Sequence, residues 1–173
     1  MSIAPPPKAD YGFYNTYLSL APQTELIAAF HENQEAVEQL IDGLSEDQLL
    51  YRYDTGKWNI KETLAYLIDA ERNFCYRAMR ISRSDQKPLP PFNPHEFAIN
   101  AFATERNIAN IMDELSINRK STIAMFAGMH HIMLDRTWPA RDVIISVRAL
   151  GYAIVGHSLH HMNILKERYL QKK

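Results

Sequence analysis

Residues 146–168 read SVRALGYAIVGHSLHHMNILKER, and their pattern indicates a long helix in the core of the protein. Steps of three and four residues place one set of its side chains on a single helix face. That face carries Val147, Leu150, Ile154, His157, His161, Ile164 and Arg168. Two imidazoles therefore lie where a core should be apolar, and buried polar groups are costly unless something satisfies them.

His157 and His161 are one helical turn apart, and their spacing is compatible with a metal site. Neutral imidazole nitrogens are good ligands for zinc, nickel or iron. The alternative is a pair of core histidines that hydrogen-bond to their surroundings, because HxxxH is a short pattern. Ser158 stands where an HExxH zinc protease has its general base, so the sequence disfavours metalloprotease chemistry.

Length and charge indicate the class of protein. The 173 residues predict one domain spanning 1–173, and 19 basic against 20 acidic residues leave a formal charge of −1. Without a long basic run, nucleic acid is not an expected partner. No secretory signal or membrane-spanning stretch is apparent, so we expect a soluble, cytoplasmic protein. The single cysteine, Cys75, predicts a small buried side chain rather than a nucleophile.

Helical spacing and capping signals predict three more long helices before the last one. They are expected at Pro22–Gly43, Asn59–Ser82 and Thr104–Gly128. Ser45 with Gln48 predicts a short capped helix, and the proline-rich stretch 84–103 predicts a crossover. No strand is expected in the break at 130–141. The fold class is therefore all-α, a four-helix bundle with a long connection between its second and third helices.

The N-terminal arm, residues 1–20, is expected to be ordered, because its aromatic side chains can clamp it across the bundle. The last helix also has a second apolar face, with Gly151 and Gly156 permitting close approach. That face carries Tyr152, Val155, Leu159 and Met162. We expect it to be central or to form a subunit contact, and we favour it as the dimer face.

Three stretches resemble the DinB/YfiT-like superfamily. They are GKWNIKETLAYLIDAER at 56–72, SVRAL at 146–150 and GHSLHHMNILKERY at 156–169. The similarity follows nearly the whole chain in order. It implies up-down-down-up connectivity, often a homodimer, and in many members a divalent metal held by three histidines.

Two of those three histidines match His157 and His161, whereas Tyr66 stands at the position of the third. A phenol has an unperturbed pKa of about 10 and must usually lose its proton to bind a cation well. Tyr66 is thus either a phenolate ligand to a zinc, nickel or iron ion, or a hydrogen-bonding partner of an imidazole that replaces the metal.

The resemblance implies a metal-dependent transferase that uses a low-molecular-weight thiol, with Tyr66 as third ligand or catalytic proton donor. Hydrolysis by a metal-activated water is a variant. The competing hypothesis is a non-enzymatic bundle with a decayed metal site that binds a small molecule or a protein.

Other polar residues are weaker candidates for the site. His31, His130 and His131 are predicted to be solvated or capping, and His160 to face a partner helix or to orient a ligand. Glu62 and Asp69 are interpreted as capping or solvated residues, and Arg119 as half of a salt bridge.

Overall fold

The computed structural model describes residues 2–85, 87–88, 90–140 and 143–171. Its helices are α1 (Asn15–Leu18), α2 (Leu26–Ile41), α3 (Glu46–Leu50), α4 (Ile60–Ser82), α5 (Pro94–Asn100), α6 (Ile108–Ala127), α7 (His131–Leu134) and α8 (Val147–Ile164). Two strands, β1 (Thr137–Ala140) and β2 (Val143–Ser146), precede α8. Short 3-10 turns lie at Gly12–Tyr14 and Ala103–Glu105, and a π-turn at Leu165–Tyr169 follows α8. In the described ranges no helix has the length and apolar character to cross a membrane.

The four long helices α2, α4, α6 and α8 pack together, which confirms the predicted helical bundle. Helix α8 is central, because it packs against α4, α2 and α1 and is buried from Ala149 through Ser158. Such burial on all sides explains why both of its faces are apolar. The up-down-down-up order of helix directions stays a prediction.

Capping sets the start of α4, the helix that carries Tyr66. The Asn59 side chain accepts a hydrogen bond from the Glu62 backbone at 2.9 Å, and the Glu62 carboxylate accepts one from the Asn59 backbone at 2.8 Å. This capping box satisfies two N–H groups that the helix leaves without partners. The predicted helix 59–82 is confirmed to within one residue.

Two helices begin later than the sequence predicts. Helix α2 starts at Leu26 rather than Pro22, because the Glu25 carboxylate accepts the Ala28 N–H and caps the helix there. Helix α6 starts at Ile108 rather than Thr104, after a 3-10 turn and with the Asn107 side chain as its cap. In both cases a polar side chain outside the apolar pattern sets the boundary.

The predicted break at 130–141 contains structure that the sequence analysis missed. Helix α7 lies there, and β1 pairs antiparallel with β2, with Thr137 opposite Ser146 and Trp138 opposite Ile145. The prediction that no strand forms here was wrong. Each strand has only four residues, and Pro139 lacks an N–H to donate, so the pattern in the sequence is too short to detect.

The N-terminal arm packs against Tyr152 on the second apolar face of α8, and Val155 and Met162 of that face are buried inside the same chain. Ile3 is fully buried, its carbonyl accepts hydrogen bonds from the Leu26 N–H and the Tyr152 hydroxyl, and its N–H donates to Glu25. The same chain therefore covers the face that we favoured as the dimer contact, and that choice is corrected. The homodimer itself stays a prediction.

Candidate functional site

Helices α4 and α8 bring the three predicted site residues together. The rings of His157 and His161 are 4.7 Å apart between centroids, and the Tyr66 ring lies 5.4 Å from each of them. His157 is 3% exposed, Tyr66 is buried and His161 is half-buried. We call these three residues the imidazole–phenol cluster.

Other aromatic rings surround the cluster. Trp58, directly before the α4 cap, lies 4.9 Å from the Tyr66 ring and is stacked 6.4 Å from His161. Phe74, two helical turns after Tyr66, lies 5.7 Å from His157. These apolar walls exclude water and lower the local polarity, which weakens the hydration of any charge formed there.

Burial keeps both imidazoles uncharged at neutral pH. It lowers the pKa of His157 well below its usual 6.5, and the neighbouring His161 and His160 add to the effect. Burial, together with His160, lowers the pKa of His161 to about 4. The ring nitrogens are thus available as ligands without competition from a proton.

Burial has the opposite consequence for the phenol. It raises the pKa of Tyr66 to about 12, with a smaller contribution from the nearby Tyr17. Tyr66 meets both imidazoles through edge-to-face ring contacts, at interplanar angles of 70° and 73°. At neutral pH Tyr66 therefore carries its proton and is a hydrogen-bond donor rather than an anion.

The donor chemistry fits a divalent metal through the two imidazoles. Within the described ranges no group of three or more His, Cys, Asp or Glu side chains is arranged to hold a metal ion. Two neutral nitrogens one turn apart suit zinc, nickel or iron, but a protonated phenol does not suit the third position. The cluster thus fits an ion held by His157 and His161 with a proton donor beside it.

The remaining polar candidates lie away from the cluster, except for His160, which is next to it. The His160 ring is half-buried and 5.2 Å from His161. Glu62 caps α4 and pairs with Arg52, and Asp69 lies beside Arg72. Among the other histidines, His31, His130 and His131 are exposed.

Arg119 forms a buried ion pair, as the sequence predicts. Its guanidinium donates to both oxygens of Glu71, at 2.9 to 3.2 Å, and to the Asn33 side chain at 3.1 Å. Glu71 also accepts the Thr122 hydroxyl proton at 2.6 Å. Arg119 is therefore neutralised inside the bundle and not free to bind an anionic substrate.

Cys75 is half-buried rather than fully buried as the sequence predicts. It lies 3.3 Å from the Thr122 hydroxyl, and burial raises the pKa of its thiol to about 12. A thiol that stays protonated is a poor nucleophile.

Tyr17 belongs to the N-terminal arm, and its contact with the cluster is not predicted from the sequence. Its ring is 5.0 Å from His157 and 5.9 Å from His160. The signal was present in Gly156, whose missing side chain indicates a close approach next to His157. Nothing in the sequence identified the approaching segment.

Known proteins place this architecture in a family. The family model described as the DinB superfamily matches residues 29–165, a range that includes all three cluster residues. A curated protein of Geobacillus thermodenitrificans named "Putative metal-dependent hydrolase" is 32% identical over 106 residues, which are 61% of this chain. The match spans 53% of that relative, about half of its length.

A solved structure described as "YfiT from Bacillus subtilis is a probable metal-dependent hydrolase with an unusual four-helix bundle topology" superposes with a TM-score of 0.75. It covers 94% of this chain and 90% of its own at 16% identity, so the likeness concerns the fold. The match to the family model covers most of the sequence. The chain belongs to the DinB superfamily.

Proposed function

We propose that this protein is a metal-dependent enzyme acting on a small molecule, with His157 and His161 as metal ligands and Tyr66 as proton donor. One observation carries the proposal: a protonated phenol from α4 meets two uncharged imidazoles from α8 within 5.4 Å between ring centroids. Zinc, nickel and iron are the ions that suit these donors. When bound, such an ion supplies a Lewis acid and lowers the pKa of a coordinated water or thiol.

The residues of the chain bind the ion, orient the reacting groups and donate a hydrogen bond. His157 and His161 bind without losing a proton, because burial already keeps them neutral. Tyr66 keeps its proton and donates a hydrogen bond to an oxygen that gains negative charge during the reaction, a contribution of about 10²- to 10³-fold for a well-placed donor. Trp58 and Phe74 keep the surroundings apolar, which strengthens that hydrogen bond.

The names of two relatives support a reaction class for the proposed enzyme. The Geobacillus protein is named a "Putative metal-dependent hydrolase" and the YfiT structure "a probable metal-dependent hydrolase", which supports hydrolysis as the reaction. Transfer to a low-molecular-weight thiol, implied by the sequence resemblance, is the variant in which thiolate replaces water as nucleophile. We also propose that the protein is a cytoplasmic homodimer.

A second candidate is a metal-free bundle that binds a small molecule or a protein. The phenol favours it, because a pKa of about 12 makes ionisation of Tyr66 costly and leaves only two ligands for a metal. This candidate predicts that chelators leave the protein's stability unchanged.

Metal titration of untagged, chelator-treated protein separates the two candidates. We expect calorimetry with zinc, nickel or anaerobic iron(II) to give one ion per chain, and His161→Gln to weaken binding at least tenfold. His130→Gln is the matched control, since that imidazole is exposed, and it should bind as the wild type does. If the wild type binds the metal no more tightly than His161→Gln does, the protein is not a metal-dependent enzyme of the proposed kind. The metal-free binding protein is then the better candidate.

Hydrolysis and thiol transfer are then compared on metal-loaded protein. A panel of small esters and amides tests hydrolysis, and an electrophile with a low-molecular-weight thiol tests transfer. Turnover that depends on both the ion and Tyr66 supports the enzyme, and the substrate accepted identifies the reaction class. Loaded protein that turns over neither panel contradicts both versions of the reaction.

A further inference from the structure

Helix α1 of the N-terminal arm lies directly against the cluster. The Tyr17 ring meets His157 edge-on, at 89° and 5.0 Å between centroids, and meets His160 at 5.9 Å. Tyr17 therefore packs against His157 together with Phe74 and the other two residues of the cluster, and His157 is only 3% exposed. A ligand approaching the imidazole from the side of α1 meets a phenol ring.

The approach of α1 depends on Gly156, the residue before His157. A Cβ atom at position 156 would lie 1.9 Å from the Tyr17 carbonyl oxygen and 2.5 Å from its carbonyl carbon. Both are backbone atoms, so no side-chain rotation relieves the overlap. Only a residue without a side chain lets α1 pack this closely on α8.

The arm is held in place on both sides of α1, whereas the contact with His157 comes from α1 itself. On one side, the Ile3 backbone bonds to Glu25, Leu26 and Tyr152. On the other, α2 begins at Leu26. Between them α1 is a single turn with no buried residue of its own. A one-turn helix whose side chains all stay at least partly exposed can move without unfolding the bundle, although its backbone lies close to α8.

We propose that Tyr17 is a specificity-determining residue of the cluster: α1 closes over His157, and a ligand reaches the imidazoles only when α1 moves away. The inference rests on the proposed function only in taking the cluster as the reactive centre. The arm selects ligands by access, because in its closed position it excludes molecules that do not fit beneath the Tyr17 ring.

Diethyl pyrocarbonate, which acylates neutral imidazole, measures this access without any metal or substrate. His157 and His161 are uncharged at pH 7, so their modification rates, read by peptide mass spectrometry on apo protein, report exposure rather than protonation. The exposed His31, His95 and His130 serve as references within the same molecule.

Two variants open the arm by different routes. Tyr17→Ala removes the covering ring, and Gly156→Ala pushes the α1 backbone away while every cluster side chain stays. We expect both to raise the His157 modification rate at least tenfold relative to the references. Tyr17→Phe, which keeps the ring, and Gly128→Ala, whose added Cβ comes no closer than 3.3 Å to a neighbouring atom, should react as the wild type does.

The proposal is overturned if His157 reacts equally slowly in wild type, Tyr17→Ala and Gly156→Ala, or if wild-type His157 already reacts as fast as His31. Global unfolding is recognised because all histidines would then react at one rate. If the variants raise the modification rate of His157 but the protein binds no metal, the role of the arm is supported and the metal-dependent enzyme is refuted. The failures of the two proposals are therefore distinguishable.

Discussion

Tyr66 stands where the family resemblance implies a histidine, and its surroundings determine what it can do. The phenol packs between Trp58 and the two imidazoles, and burial raises its pKa to about 12. A residue that holds its proton this firmly donates hydrogen bonds but binds cations poorly. In the proposed site Tyr66 is therefore a hydrogen-bond donor beside two imidazole ligands rather than a third ligand.

Restoring an imidazole at this position should strengthen metal binding. In Tyr66→His, a third neutral nitrogen joins His157 and His161, and we expect the affinity for zinc or nickel to rise at least tenfold, about 1.4 kcal/mol. Competition titration against a chromophoric chelator measures the change. Tyr76→His, on the exposed side of the same helix, is the control and should give no gain. An equal gain in both variants would show that position 66 does not face the pair.

The lowered pKa of His161 makes the stability of the metal-free protein depend on pH. The unfolded chain takes up a proton near pH 6.5, whereas folded His161 does so only near pH 4. The contribution to stability is therefore complete above about pH 6.5 and is lost as the pH falls towards 4. Between pH 7 and pH 5 the loss from this residue is about 2 kcal/mol.

Urea unfolding with chelator present, at pH 7 and pH 5, measures this loss. His161→Gln should lose about 2 kcal/mol less than wild type between the two pH values, because the variant has no imidazole to protonate. His130→Gln, in which an exposed residue is replaced, should keep the wild-type difference. Identical pH dependence in wild type and His161→Gln would mean that His161 is not buried as described.

Among the elements, α4 has the most explicit start signal. Asn59 caps the helix and also donates to the Thr104 hydroxyl at 3.0 Å, which ties the α4 start to the turn before α6. We expect Asn59→Ala to lower the free energy of unfolding by about 1 kcal/mol. Asn93→Ala, which removes the cap of the short α5, should cost less, because a seven-residue helix contributes little packing. Denaturant midpoints compare the two, and an equal effect contradicts the role given to the α4 cap.

How much of each element the sequence predicts depends on whether its signals are local. The α3 and α4 starts are predicted because Ser45 with Gln48, and Asn59 with Glu62, form capping boxes within four residues. The start of α2 is missed because its cap is Glu25, which is not among the residue types that favour this position, and whose carboxylate is also held by the Ile3 N–H across 22 residues. The β1–β2 hairpin is missed because its strands are too short to show alternation.

For the whole molecule, the long helices meet at one buried polar network. Arg119 on α6 binds Glu71 on α4 and Asn33 on α2, and a cavity of about 10 Å³ separates this network from His157 and Ser158 on α8. Each charge is satisfied only while the helices keep this arrangement. The network therefore requires a specific packing of the bundle.

Removing one partner of the pair should be strongly destabilising. Glu71→Ala leaves the Arg119 guanidinium buried without its carboxylate, and we expect a loss of about 3 to 5 kcal/mol. Asp135→Ala, which breaks an exposed pair with Arg148, should cost under about 1 kcal/mol. Chemical denaturation of both variants tests the contrast. A Glu71→Ala cost as small as that of the surface pair would mean that water reaches Arg119.

The candidate site was predictable in part for the same physical reason as the fold. His157 and His161 share one helix face, so spacing alone brings them together, and the resemblance added Tyr66. Tyr17 could not be found in this way, because its contact depends on the path of the whole arm across α8. A sequence pattern shows which residues share a face but not which distant segment covers it.

The most direct test of the metal centre is anomalous X-ray scattering at the zinc edge from crystals of untagged protein soaked in zinc. We expect one strong peak between His157 and His161, about 2.0 to 2.1 Å from one nitrogen of each ring. His161→Gln crystals treated in the same way should lose that peak. Zinc peaks only at exposed histidines such as His31 or His130, with none between His157 and His161, would contradict the proposed metal centre.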